Sequence, residues 1–133
     1  MTEIENIRQA VAEWMGWRMA TVIIEGQYIG IYWIDGKDYE KYLIDDYTPD
    51  TNAQQADELW KELERWDYQV QVMPPCRRYD GTTGVTLWKY DEDDDEFYDV
   101  AWASETDWKI ALARAVAKLL KEKNDKPKKN RRT

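Results

Sequence analysis

The sequence predicts an α+β fold: an α/β/α sandwich in which three helices cover a mostly antiparallel sheet of five to six strands. Three observations predict it. Apolar residues recur at three- and four-residue spacing in three separate stretches. Between those stretches lie β-branched and aromatic runs of strand length. Short turns rich in Gly, Asp and Pro join the runs, which favours antiparallel neighbours over long parallel crossovers.

The first helix is read from "EIENIRQAVAEWM", where Ile4, Ile7, Val11 and Trp14 form one face. Thr2 and Glu5 have capping-box spacing, and Gly16 is placed to end the helix. "MATVIIE" and "YIGIYWI" then read as a hairpin around "GQ". "DGKD" at 35–38 marks a further turn, and "KYLID" supplies a short third strand. Pro49 and Asp50 break the chain, with Asp50 or Thr51 expected to cap a second helix. Its inner face is Ala56, Leu59, Trp60, Leu63 and Trp66. "YQVQVM" alternates as a half-buried strand, and Pro74-Pro75 stops it. "GVTLWKY" and "EFYDVAWA" are two more strands around an exposed "DEDDDE" turn. Ser104 with Asp107 is expected to cap the third helix, whose two apolar stripes run through Trp108, Leu112, Ala115 and Leu119 and through Ile110, Ala113, Ala117 and Leu120.

Composition bounds the function. The 133 residues suit one domain, expected over residues 1–120, followed by a basic disordered tail at 121–133. The tail carries seven basic and two acidic residues, so the formal −8 of the whole chain leaves −13 on residues 1–120. A body this acidic repels phosphate backbones, so direct nucleic-acid binding by it is not expected. Cys76 is the one cysteine and there is no histidine, which excludes an internal disulfide, a Cys/His zinc site and histidine-dependent catalysis. No P-loop, G-x-G-x-x-G or G-x-S-x-G string is present. We therefore expect no enzyme, no metal and no cofactor. The acidic N-terminus lacks the apolar core of a signal peptide, and no apolar run reaches membrane-spanning length. The expected setting is a reducing cytoplasm without membrane association.

Two features stand out as candidate sites. In "PPCRRYDGTTG", Arg77 and Arg78 offer planar forks suited to a phosphate, and Thr82 and Thr83 add hydroxyls. Tyr79 and Trp88 are placed to stack on a base. The second feature is the run Asp91, Glu92, Asp93, Asp94, Asp95 and Glu96, which imitates a row of phosphates and suits a basic protein partner. Eight Trp and nine Tyr against one Phe give many aromatics with an apolar body and a polar tip, which can sit half buried at a surface or cleft; a Trp-rich core is the ordinary explanation for them.

"IRQAVAEWMGW" at 7–17, "DYTPDTNAQQADELWKELER" at 46–65 and "WASETDWKIALARAVAKLL" at 102–120 resemble the phage ABA sandwich domain family. The matching positions are Gly16, Trp17, Thr51, Ala56, Trp60, Ala111, Arg114, Ala115 and Leu119. The resemblance implies the sandwich and a phage or prophage origin. It implies no activity, because the family has no common assigned one. The "DEDDDE" turn and the basic tail depart from the family pattern. With a phage origin, the expectation is a counter-defence protein in the infected bacterial cytoplasm that sequesters a small nucleotide-derived immune signal, with a homo-oligomer as one way to complete the pocket. The alternatives are a nucleic-acid mimic that binds a host defence protein, such as a nuclease or CRISPR effector, and a phage housekeeping or structural protein.

Overall fold

The computed structural model describes residues 2–75 and 81–125. Helix, three strands, helix, three strands and a closing helix follow one another along the chain. These are α1 (Glu3–Trp14), β1 (Arg18–Ile24), β2 (Gln27–Ile34), β3 (Glu40–Leu43), α2 (Ala53–Arg65), β4 (Tyr68–Met73), β5 (Thr83–Asp91), β6 (Glu96–Glu105) and α3 (Trp108–Asp125). The fold is α+β with three helices, as the sequence predicts. The strands, however, divide into two three-stranded antiparallel sheets, β1-β2-β3 and β4-β5-β6, in place of the single sheet of five to six. The chain itself explains the division. β3 is only four residues long and passes at once into a 3-10 turn at Ile44–Asp46, then into buried Pro49 and Asp50. It turns away before it can pair with β4.

Local signals hold at most element ends. Thr2 and Glu5 form the full capping box on α1, with the Glu5 amide donating to Thr2 Oγ1 at 3.1 Å. Gly16 takes φ +86°, a left-handed conformation that costs a glycine nothing. The first hairpin turns on Glu25 and Gly26, both at positive φ, one residue earlier than the expected "GQ". Two caps differ from expectation. Asn52 caps α2 by accepting from the Gln55 amide at 3.0 Å, and Asp50 has another task. Asp107 Oδ1 accepts from the Lys109 amide at 2.8 Å at the start of α3, while Ser104 lies on β6. α3 also runs to Asp125, so the first five residues of the expected tail are helical.

The second sheet carries the main core. Val85, Leu87 and Ala103 point from β5 and β6 into α3, whose Ala111, Leu112, Ala113, Ala115 and Val116 have no exposure at all. α1 lies on the other side of α3 and adds Ile7, Val11 and Ala12. The first sheet is anchored at its inner end by an aromatic cluster. Trp17 and Tyr47 meet edge-on with ring centroids 5.1 Å apart, and Tyr42 lies 5.3 Å from Tyr47. Tyr42 donates to Glu58 on α2 at 2.7 Å; burial and that carboxylate push its phenol up to about 12. The chain before α2 is pinned by charge. Arg8 makes a fork to Asp50 at 2.7 and 3.0 Å, and Asp50 is only 2 % exposed.

Two stability predictions follow from these contacts. The Tyr47 hydroxyl is buried and finds no partner among the described residues, and burial pushes its pKa up. Tyr47→Phe removes that uncompensated group and keeps the ring, so chemical denaturation should show unchanged stability or a gain of up to about 1 kcal/mol. Tyr47→Ala should lose about 3–5 kcal/mol by leaving a cavity. Arg8→Ala strands the buried Asp50 carboxylate; because Arg8 is itself partly exposed, the loss should fall near about 3 kcal/mol, and adding Asp50→Ala to it should recover part of that loss.

Candidate ligand cleft

The second sheet has two unlike faces. On β5, Val85 and Leu87 face the helices, and Lys89 has the same parity. Lys89 pairs with Tyr68 on one side and with Tyr98 on the other, so Tyr68, Lys89 and Tyr98 form a row across the sheet. α1 and α2 end before this row. α1 stops at Trp14 with Met15 as cap, α2 stops at Arg65 with Trp66 as cap, and Leu119 is the last buried residue of α3 among the described residues. The space left between sheet and helix ends is a cleft of about 530 Å³. Trp14, Trp66, Tyr68 and Tyr98 wall it; Met15, Gly16, Val100 and Leu119 add apolar surface; Glu62 and Lys89 supply the charge. A smaller hollow of about 240 Å³ adjoins it through Tyr68.

The walls are held in place. Trp14 meets the Tyr68 ring edge-on at 6.1 Å. Trp66 donates its indole N–H to Glu62 at 2.7 Å and its carbonyl accepts from Lys89 Nζ at 2.5 Å. The same ammonium lies 4.4 Å from the Tyr68 ring centroid, a cation–π position. Burial, with help from Tyr98, raises the Tyr68 pKa, so this phenol stays neutral and keeps its O–H near neutral pH. About half of Trp66 and half of Tyr98 remain open to solvent. The carboxyl ends of two helices add partial negative charge here, which Lys89 offsets. The cleft thus offers aromatic faces, one ammonium at Lys89 and one carboxylate at Glu62, which accepts from the Trp66 indole.

Only Thr82, Thr83 and Trp88 of the sequence-predicted loop site fall among the described residues. Arg77, Arg78 and Tyr79, with Cys76, lie outside the described residues. Thr82 Oγ1 and Ser104 Oγ share a hydrogen bond of 2.7 Å, and Thr83 is buried at the start of β5. Trp88 has the opposite parity to Thr83, on the face away from the helices, where its indole donates to Gln71 at 3.1 Å. The two stand five positions apart, about 17 Å of strand. Thr82, Thr83 and Trp88 therefore do not line one hollow. The acidic run forms the β5-β6 hairpin: Asp91 pairs with Glu96, and residues 92–95 make the turn. Glu92 to Glu96 are exposed, Tyr90 donates to the Asp95 carboxylate, and the Asp93 amide donates to Asp91 at 2.9 Å. Among the described residues, no three Cys, Asp or Glu side chains gather as a metal site, and no helix is long and apolar enough to cross a membrane.

The cleft residues were not singled out by the sequence. Trp66 and Tyr68 read as core positions. The one legible signal was Lys89, a charge at the core-facing parity of β5 after Val85 and Leu87. No family model, curated protein or solved structure matches the chain. The likeness to the phage family rests on the three quoted segments alone.

Lys89 is tied to the Trp66 carbonyl and the Tyr68 ring, so Lys89→Met should lower stability in urea by about 1 kcal/mol, the sum expected of an exposed hydrogen bond and a cation–π contact. Lys89→Arg should recover most of the loss.

Proposed function

We propose that the protein is a non-catalytic binding protein whose cleft at Trp14, Trp66, Tyr68, Lys89 and Tyr98 takes a small planar-ring ligand with one negative charge. The observation that carries this reading is the aromatic cleft with a single ammonium at its sheet wall. Its volume lies in the ordinary range for small-molecule sites. Aromatic faces accept a ring, and Lys89 meets a phosphate or carboxylate at contact range, where distant acidic charge is screened over about 8–10 Å. A phage origin, drawn from the family resemblance, favours a nucleotide-derived immune signal as that ligand and sequestration in the infected cell as its role. The cleft's charge narrows this further: a nucleoside cyclic monophosphate fits one ammonium better than a cyclic di- or trinucleotide does.

A second reading is favoured by the exposed carboxylates at Glu92–Glu96, which stand on a projecting turn with none in an ion pair among the described residues. On that reading the tip engages a basic groove of a host defence protein in place of nucleic acid. A phage housekeeping role has no observation of its own.

Titration calorimetry against nucleosides, nucleoside monophosphates, cyclic monophosphates and cyclic di- and trinucleotides tests the first reading. A cyclic or linear monophosphate should bind, and Trp66→Ala or Lys89→Met should weaken it at least tenfold, about 1.4 kcal/mol. No heat with any compound, or binding indifferent to both substitutions, overturns the proposal.

A further inference from the structure

β1 is an edge strand of the first sheet, with β2 on one side and no strand on the other among the described residues. Natural edges are commonly blunted by charge, proline or a bulge. β1 has none of these between its ends. "RMATVII" carries Arg18 at its start and no further charge before Glu25. The irregularity between Val22 and Ile23 places its extra residue, Ile29, on β2, so the free edge of β1 is unbroken. The other edges differ. β3 carries Glu40 and Lys41, β6 carries Glu96, Asp99 and Glu105, and β4 runs straight into Pro74-Pro75.

The same hairpin is the most apolar exposed region of the protein. Met19, Ile23, Ile24, Tyr28, Ile29 and Ile31 are each 43–65 % exposed. Together they leave on the order of 700 Å² of apolar residue surface open, spread over both faces of the hairpin. This happens in a body of net charge −13, where an uncharged stretch lets two copies approach with less repulsion than the carboxylate-rich surface does.

We propose that two copies of this chain associate through their β1 edges, antiparallel about a two-fold axis at Thr21, to make one continuous six-stranded sheet. The sequence is self-complementary in that register. Met19 stands opposite the partner's Ile23 on one face, and Ala20 opposite the partner's Val22 on the other. Thr21 meets its own copy, a favourable cross-strand pair. At each end Arg18 lies one position from the partner's Glu25, opposite charges. Met19, Ile23 and Ile24 supply on the order of 300 Å² per copy, below the size of stable specific interfaces, so the backbone pairing along the edge carries much of the attraction and a weak, concentration-dependent association is expected. The interface leaves Trp66 and Lys89 outside it and does not depend on what the cleft binds.

Sedimentation velocity across a series from about 1 to 500 μM, the range bracketing such an affinity, tests the association. The expected result is a shift from the mass of one chain to that of two. Met19→Lys with Ile23→Lys sets like charges opposite each other and should abolish the shift, while circular dichroism stays unchanged because both positions are exposed. Register is tested independently. With Cys76→Ser removing the natural thiol, Thr21→Cys should cross-link to its own copy on mild oxidation. Ala20→Cys should cross-link only when mixed with Val22→Cys. A monomer at every concentration, a dimer untouched by the double substitution, or a dimer in which Thr21→Cys stays reduced each overturns the proposal.

Discussion

The structure depends on how closely α3 can lie between the second sheet and α1. Ala111, Ala113 and Ala115 have no exposed surface, and their short side chains let backbone approach backbone on both sides of the helix. Leu112 and Val116 then fill the space that remains. A larger side chain at any of the three alanines would push either the sheet or α1 outward. Arg114, on the margin of this face, ties the assembly at its rim by pairing with Glu3 of α1 at 2.8 Å and with Glu105 of β6. The helix thus sets the spacing of three elements at once. The cleft is the consequence at one end: α1 and α2 stop short, Leu119 is the last buried position of α3 among the described residues, and the sheet continues past them to Lys89.

Local structure was legible because its causes are local. Thr2, Gly16 and Pro74 each act within a turn of where they stand, and each ends or starts an element as the sequence indicates. What the sequence did not carry was long-range. Asp50 looked like a helix cap because caps are acidic or hydroxylic, but Arg8, 42 residues away, claims its carboxylate and Asn52 takes the cap. Ser104 and Asp107 had capping-box spacing, yet ladder pairing with Gly84 keeps Ser104 in β6. Alternation gave each strand its faces without saying which strands meet, so six strands read as one sheet became two. Trp66 has the helical spacing of a core residue, but it follows the last turn of α2 and its ring is left at the cleft mouth.

The same distance dependence sorts the electrostatics. Summed over residues 1–120 the charge is strongly negative, which governs what approaches from afar. Within a few ångströms the nearest groups decide, and in the cleft these are Lys89 and Glu62. The two scales act differently. A polyanion meets the repulsion of the whole body. On the proposed reading, a singly charged small molecule feels little of it at range and meets the ammonium and the aromatic walls at contact.

Net charge also explains why the uncharged hairpin matters more here than it would in a neutral protein. Acidic surfaces keep copies apart, and exposed apolar groups draw them together. On most of this surface repulsion wins, since carboxylates stand between one apolar group and the next. Along β1, six successive residues from Met19 to Ile24 carry no charge, and the backbone edge beside them supplies hydrogen-bonding groups at strand spacing. Attraction at that edge is short-ranged and directional, and the repulsion of the remaining body then opposes any second mode of contact. On the proposed pairing, a strongly charged body with one neutral, apolar edge forms closed pairs, because after two edges have met no further edge of the same kind is left to recruit a third copy.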